Sequence, residues 1–313
     1  MTKPSIEIGV VLALTCLAIL GAMPVISNSR PDGFSALSFA LFLSVWQVIA
    51  ATPLFVKDST GAERGVFSPG LCRARRRRAV GIVLATGVIF GLSTFVYVLA
   101  VEKAGAVGAA IAIQAYPLFA ILWETLFLRR RKTPLELGFT ALLLIALSHI
   151  ATGGTWRIEG FSAWFAFALL VPFLWSVAHV ILKELLVATP VTPGQVTFFR
   201  VFVSVGLLLP ALMLVEGGEA IARDLTTPSF QAVAALMGVA YYAELVLWFY
   251  AMRHIDVSMA SSITAPAPAL TMVFATVYLG DQVTADQIVA LSLIILSVYG
   301  LIYAGVRKQR RIA

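Results

Sequence analysis

Residues 105–117 read GAVGAAIAIQAYP and residues 256–268 read DVSMASSITAPAP. Each is a run of mostly small residues that ends on a proline inside a longer apolar stretch, and the two stand 151 residues apart. Shifting the chain along itself by 151 residues also lays Gly87 on Gly238, Tyr97 on Trp248, Ala109 on Ala260, Pro117 on Pro268, Thr133 on Thr284 and Gly154 on Gly305. Coincident glycines and prolines carry more weight than coincident leucines, because they constrain the backbone. The two stretches therefore read as one element of a unit written twice in the chain.

Composition sets the solvent for both copies. Of 313 residues, 60% are hydrophobic and 12% charged, with a mean hydropathy of +0.93; soluble domains average about 45–50% and 25%. The apolar excess has to face hydrocarbon, which excludes secreted, disordered and cytosolic chains. Apolar runs of about 20 residues predict ten membrane-spanning helices, near 6–27, 34–56, 79–101, 104–128, 134–152, 160–182, 194–215, 229–252, 257–279 and 284–306. The first run continues past a signal-peptide length with no small-residue cleavage pattern, so it reads as a retained span. Cys16 and Cys72 imply no disulfide framework.

Basic residues supply an independent test of that count. With ten spans, 18 of the 23 Lys and Arg fall on the side that holds both termini, 4 on the other, and Arg200 alone inside a span. The excess of Lys and Arg in cytoplasmic loops then predicts cytoplasmic termini. Arg73 and Arg75 to Arg78 read as a topology anchor against anionic headgroups, so the partner is the lipid bilayer and no nucleic acid. The shift of 151 carries spans 3, 4 and 5 onto 8, 9 and 10. Five is odd, so the copies, 1–152 and 153–313, cross the membrane in opposite senses. Such inverted halves are a transporter signature, with substrate bound near the midplane between them.

These features resemble the EamA branch of the drug/metabolite transporter superfamily: ten helices in two inverted repeats, the small-residue fourth helix with its proline (Gly105 to Pro117, again Asp256 to Pro268), a Thr opening the fifth helix (Thr133, Thr284), and Phe198-Phe199-Arg200 in span 7. Within that family the chain looks most like the YddG-type bacterial amino-acid exporters. The resemblance implies a bacterial inner-membrane protein with a substrate cavity between spans 1, 3, 4 and 6, 8, 9. The first half departs from the pattern where Arg129-Arg130 stand in place of Gly280-Asp281.

Polar residues inside spans are expensive and so point to function. Ser261, Thr264, Pro268 and Thr271 share one face of span 9, with Pro266 beside them. Prolines free backbone carbonyls that must meet protein, water or ligand, which predicts a bendable, cavity-lining helix; the alternative is a kink satisfied by Ser/Thr back-bonding. Gln114, Tyr116 and Pro117 make the same case for span 4. Span 8 aligns Tyr241, Glu244 and Trp248 with Tyr242 alongside, and span 6 aligns Trp175 and His179. Aromatic walls with polar tips suit a ring or alkyl solute and also hold a cation over a ring face. Arg200 and Glu244 lie roughly 10 and 12 Å from the cytoplasmic end of their spans at 1.5 Å per residue, so depth favours an ion pair, either structural or coupling. Pro24, Gly87, Pro117, Pro266 and Pro268 are the expected hinges.

No HExxH, Gly-x-Ser-x-Gly or phosphate-binding glycine loop is present, so no metal site, cofactor or catalytic residue is expected. The reading from the residues is a transporter of a neutral or zwitterionic metabolite working by alternating access, which the resemblance narrows to a monomeric exporter of aromatic or other apolar neutral amino acids and related small metabolites. Efflux of drugs or quaternary-ammonium compounds on the same aromatic faces is the alternative, and a membrane-embedded enzyme the remote one.

Overall fold

The structure is a computed structural model, and it describes residues 6–61, 64–126, 133–151, 154, 156, 162–255, 260 and 263–312. The described residues are helical with short connections. In chain order they form α1 (Ile6–Asn28), α2 (Ala36–Thr60), α3 (Arg73–Ile113), α4 (Tyr116–Leu126), α5 (Pro134–Ala151), α6 (Ala163–Ala168), α7 (Leu170–Ala188), α8 (Pro193–Val215), α9 (Gly217–Thr226), α10 (Pro228–His254), α11 (Ala267–Phe274, continued by a π-helical turn over Ala275–Leu279) and α12 (Ala285–Ile312).

Six of these segments are long and apolar enough to cross a bilayer: α1, α2, α3, the run Ala163–Ala188, α8 and α10. Expected spans 5 and 10 correspond to α5 and α12, whereas expected spans 4 and 9 are represented by shorter apolar helices. The reason is local. Glycine at position 105 takes φ +77°, a left-handed conformation that breaks α3 between spans 3 and 4. Span 4 is then cut again by a turn at Gln114–Ala115, just before Tyr116 and Pro117, and span 9 by a turn over Thr264–Pro266. Those cuts occupy the same place in the two 151-residue copies, so the paired prolines mark chain breaks in both. The segment α9 was expected as loop. It is a short amphipathic helix tied down by the fully buried Asp224, which accepts hydrogen bonds from Ser38 Oγ and from Arg223 Nε (2.7 Å).

Helix contacts also pair off between the copies. Close packing joins α3 with α8 and α10 with α2, α3 with α7 and α10 with α1, and α4 with α7 and α11 with α1, while α5 packs on α12. Two glycines explain how the first pair approaches so closely. A Cβ on Gly87 would lie 2.8 Å from Val203 Cβ on α8, and a Cβ on Gly238 would lie 2.6 Å from the Leu43 carbonyl oxygen on α2. Gly87 is thus a contact point that brings two helices together, where a hinge was expected. The helix faces turned outward carry exposed large apolar residues such as Leu14, Val88, Phe202, Leu214 and Leu296, as a lipid-facing surface requires.

Candidate functional site

A partly open cavity lies where these broken and close-packed helices converge. Its wall takes Leu20, Met23 and Pro24 from α1, Tyr97, Ala110 and Ile113 from α3, Gln114 and Tyr116 from the first break, and Trp175 and His179 from α7. Arg200 comes from α8; Tyr241, Glu244, Leu245 and Trp248 from α10; and Thr264 and Ala267 from the second break. Tyr241, Glu244 and Trp248 face it together because residues three and four apart share one side of a helix. Four pairs of wall residues are separated by 151: Pro24 and Trp175, Tyr97 and Trp248, Ile113 and Thr264, Tyr116 and Ala267.

The aromatic wall has two clusters. In one, Tyr97, Trp175 and Tyr241 lie with ring centroids 6.1–6.4 Å apart, and the Trp175 indole donates to Ser93 Oγ at 3.1 Å. In the other, Tyr116, His179 and Trp248 lie within 5.9–6.5 Å of one another, with Tyr116 OH and His179 Nδ1 at 3.4 Å. The Tyr97 hydroxyl, His179 Nε2 and the Trp248 indole nitrogen are buried and have no hydrogen-bond partner in the protein.

Arg200 lies between the repeat-related helices α3 and α10. Its guanidinium stacks 3.5 Å from the centroid of the Phe90 ring on α3 and 5.5 Å from that of Tyr241 on α10, and Phe90 and Tyr241 are themselves 151 residues apart. Nη2 donates to Tyr241 OH at 3.1 Å, and Nη1 has no partner. Arg200 is 2% exposed and Glu244 6%. The expected direct ion pair between them does not form: no guanidinium nitrogen comes within 4.0 Å of the Glu244 carboxylate. Matching depth along two helices fixed their level in the bundle, while Tyr241, one turn before Glu244, occupies the arginine in its place. The Glu244 carboxylate accepts no hydrogen bond from the protein; its backbone carbonyl accepts one from Cys16 Sγ at 3.5 Å.

Of the residues expected at the site, Gln114, Tyr116, Trp175, His179, Tyr241, Trp248, Thr264, Arg200 and Glu244 are brought together on this wall. Tyr242 is not: one residue on from Tyr241, it turns away toward Asp58 and Tyr250. Ser261 lies outside the described residues, as does the side chain of Pro117. Pro24 sits inside α1 on the wall, Pro266 caps the start of α11, and Pro268 stands in its first turn. Sequence reasoning passed over Tyr97 as a wall residue and Phe90 beneath Arg200. The signal for both was the repeat, which equates them with Trp248 and Tyr241.

Comparison with known proteins adds a family match over the second half of the chain. Residues 162–303 match the model of the EamA-like transporter family. The chain is 26% identical over 274 residues, 86% of its own length and 84% of the relative's, to a probable terminal-alkyne amino-acid exporter of Streptantibioticus cattleyicolor. It is 31% identical over 116 residues to the pseudopaline exporter of Pseudomonas aeruginosa, a match spanning 37% of this chain and 38% of that relative's length. A solved crystal structure aligns over 94% of this chain and 97% of its own at a TM-score of 0.61 and 17% identity, a likeness of fold.

Proposed function

Residues 162–303 are an EamA-like transporter family domain, and from that premise we propose that the whole chain is a ten-helix bacterial inner-membrane exporter of aromatic or other apolar neutral amino acids. Its two five-helix halves, 1–152 and 153–313, are inverted copies, its termini are cytoplasmic, and it works as a monomer by alternating access. The paired helix contacts, the paired breaks at Gln114–Ala115 and Thr264–Pro266, and the four wall pairs spaced by 151 support the inverted halves. An arrangement of that kind gives inward- and outward-facing states of similar energy, with the substrate site between the halves.

The observation that carries the substrate class is the cavity itself. Its wall is mainly apolar and aromatic, and its described charges are one arginine and one glutamate. A balanced pair disfavours multiply charged anions, which need an excess of cations, and suits a solute without net charge. The relatives are named as a probable terminal-alkyne amino-acid exporter and a pseudopaline exporter, which supports an amino-acid-like solute.

Export of organic cations is the second reading, favoured by the Glu244 carboxylate among aromatic faces and opposed by Arg200 in the same cavity. Proteoliposomes offered labelled phenylalanine and, separately, methyl viologen separate the two. Saturable phenylalanine flux is expected, and flux of the dication without phenylalanine flux would overturn the first reading.

A further inference from the structure

We propose that Arg200 and Glu244 form a two-ended clamp that reads the zwitterion of the substrate, Arg200 taking the carboxylate and Glu244 the ammonium, while the two aromatic clusters take the side chain. The assignment rests on the transport reading above and adds which group binds which end.

Two opposite charges buried in one cavity would ordinarily pair, because an isolated buried charge is strongly unfavourable. Here they are held apart. Stacking on Phe90 and the hydrogen bond to Tyr241 fix the guanidinium plane, leaving Nη1 with no protein partner. Glu244, three residues beyond Tyr241 on the same face of α10, turns a carboxylate without a protein hydrogen bond into the same space. Each charge is more than nine-tenths buried, so neither is a surface group that water satisfies freely.

A ligand placed between them must bring an anion to Arg200 and a cation to Glu244, and it must be neutral overall. Planar guanidinium geometry matches a carboxylate, and an ammonium carries three donors for an acceptor-only carboxylate. An amine without a carboxylate leaves Arg200 unanswered, and a carboxylate without an amine leaves Glu244 unanswered. The clamp therefore rejects both organic cations and organic anions that share the substrate's side chain.

The test uses the reconstituted full chain and three ligands that share one ring: phenylalanine, phenethylamine and 3-phenylpropionate, the latter two as competitors of labelled phenylalanine flux. In the unmodified protein, loss of either charge weakens apparent affinity by about tenfold or more, the scale of a hydrogen bond to a charged group. In Glu244→Gln, a near-isosteric change, the preference for phenylalanine over 3-phenylpropionate collapses to within about threefold, while the preference over phenethylamine persists. If Glu244→Gln yields no folded protein, the competitor pattern of the unmodified chain decides alone, and phenethylamine or 3-phenylpropionate competing as well as phenylalanine overturns the clamp. Phenylalanine flux with an undiminished ammonium preference in Glu244→Gln overturns the clamp and leaves the transport reading standing. No phenylalanine flux from the unmodified protein overturns the transport reading and the clamp with it.

Discussion

Replacing Gly238 by Ala is the sharpest test of how the two copies lock together. The new methyl would sit 2.6 Å from the Leu43 carbonyl oxygen, 2.7 Å from Trp46 Cβ and 3.3 Å from the Gln47 nitrogen. The first contact is with helical backbone, so α10 and α2 must separate by about 1 Å to reach ordinary van der Waals distance. That movement stretches the other links across the same face: the Trp46 indole to Gln231 Oε1 at 2.9 Å, and the Phe34–Phe230 stack with centroids 4.3 Å apart. Overpacking of this kind costs about 1–3 kcal/mol, against about 1 kcal/mol gained when Ala replaces Gly inside a helix. Gly206, with nothing within 4 Å of its Cβ position, is the matched control that receives only the gain. The two variants should thus differ by about 1–3 kcal/mol, or roughly 2–12 °C in unfolding midpoint at about 2–4 °C per kcal/mol, read by thermal unfolding of purified protein in one detergent. A Gly238→Ala protein as stable as Gly206→Ala would refute the close-packing account.

Three further outcomes follow from single contacts. Asp224→Ala should lower the unfolding midpoint by the equivalent of about 1–3 kcal/mol, since it leaves the buried Ser38 hydroxyl without its acceptor; an unchanged midpoint would show that α9 is not anchored there. Gln195→Ala should speed cleavage by trypsin after Arg64, because Gln195 Oε1 accepts from the Val66 amide at 2.8 Å and its Nε2 donates to Ser59 Oγ and to the Arg64 carbonyl at 3.2 Å; an unaltered digestion rate would contradict that pinning. Trp175→Ala should raise the apparent KM for phenylalanine flux about tenfold through lost aromatic contact and change alanine flux little, whereas equal effects on both would move Trp175 out of the side-chain subsite.

Much of this architecture was written in the hydrophobic pattern, because apolar runs and their basic flanks report the bilayer directly. The paired prolines predict bends in spans 4 and 9, and the structure breaks both helices beside them, while the left-handed turn at Gly105 was not read from the sequence. Wall residues on α10 followed from helical spacing, which put Tyr241, Glu244 and Trp248 on one side. Tyr242 shows the limit of that reasoning, since one residue of rotation carries it off the wall. The Arg200–Glu244 pairing failed for a related reason: sequence gives depth along a helix axis and says nothing of which neighbour lies nearer across the gap, and here Phe90 and Tyr241 hold the guanidinium. Asp224 was invisible because its partner Ser38 stands 186 positions earlier, and no local pattern links residues so distant in the chain.

Counterflow tests the central claim most directly, because it needs one site reachable from both faces and no assumption about energy source. Vesicles holding the purified chain and loaded with unlabelled phenylalanine should accumulate labelled phenylalanine transiently and saturably from dilute external solution. Accumulation no faster than in protein-free vesicles, under conditions where the chain remains folded, would contradict the account.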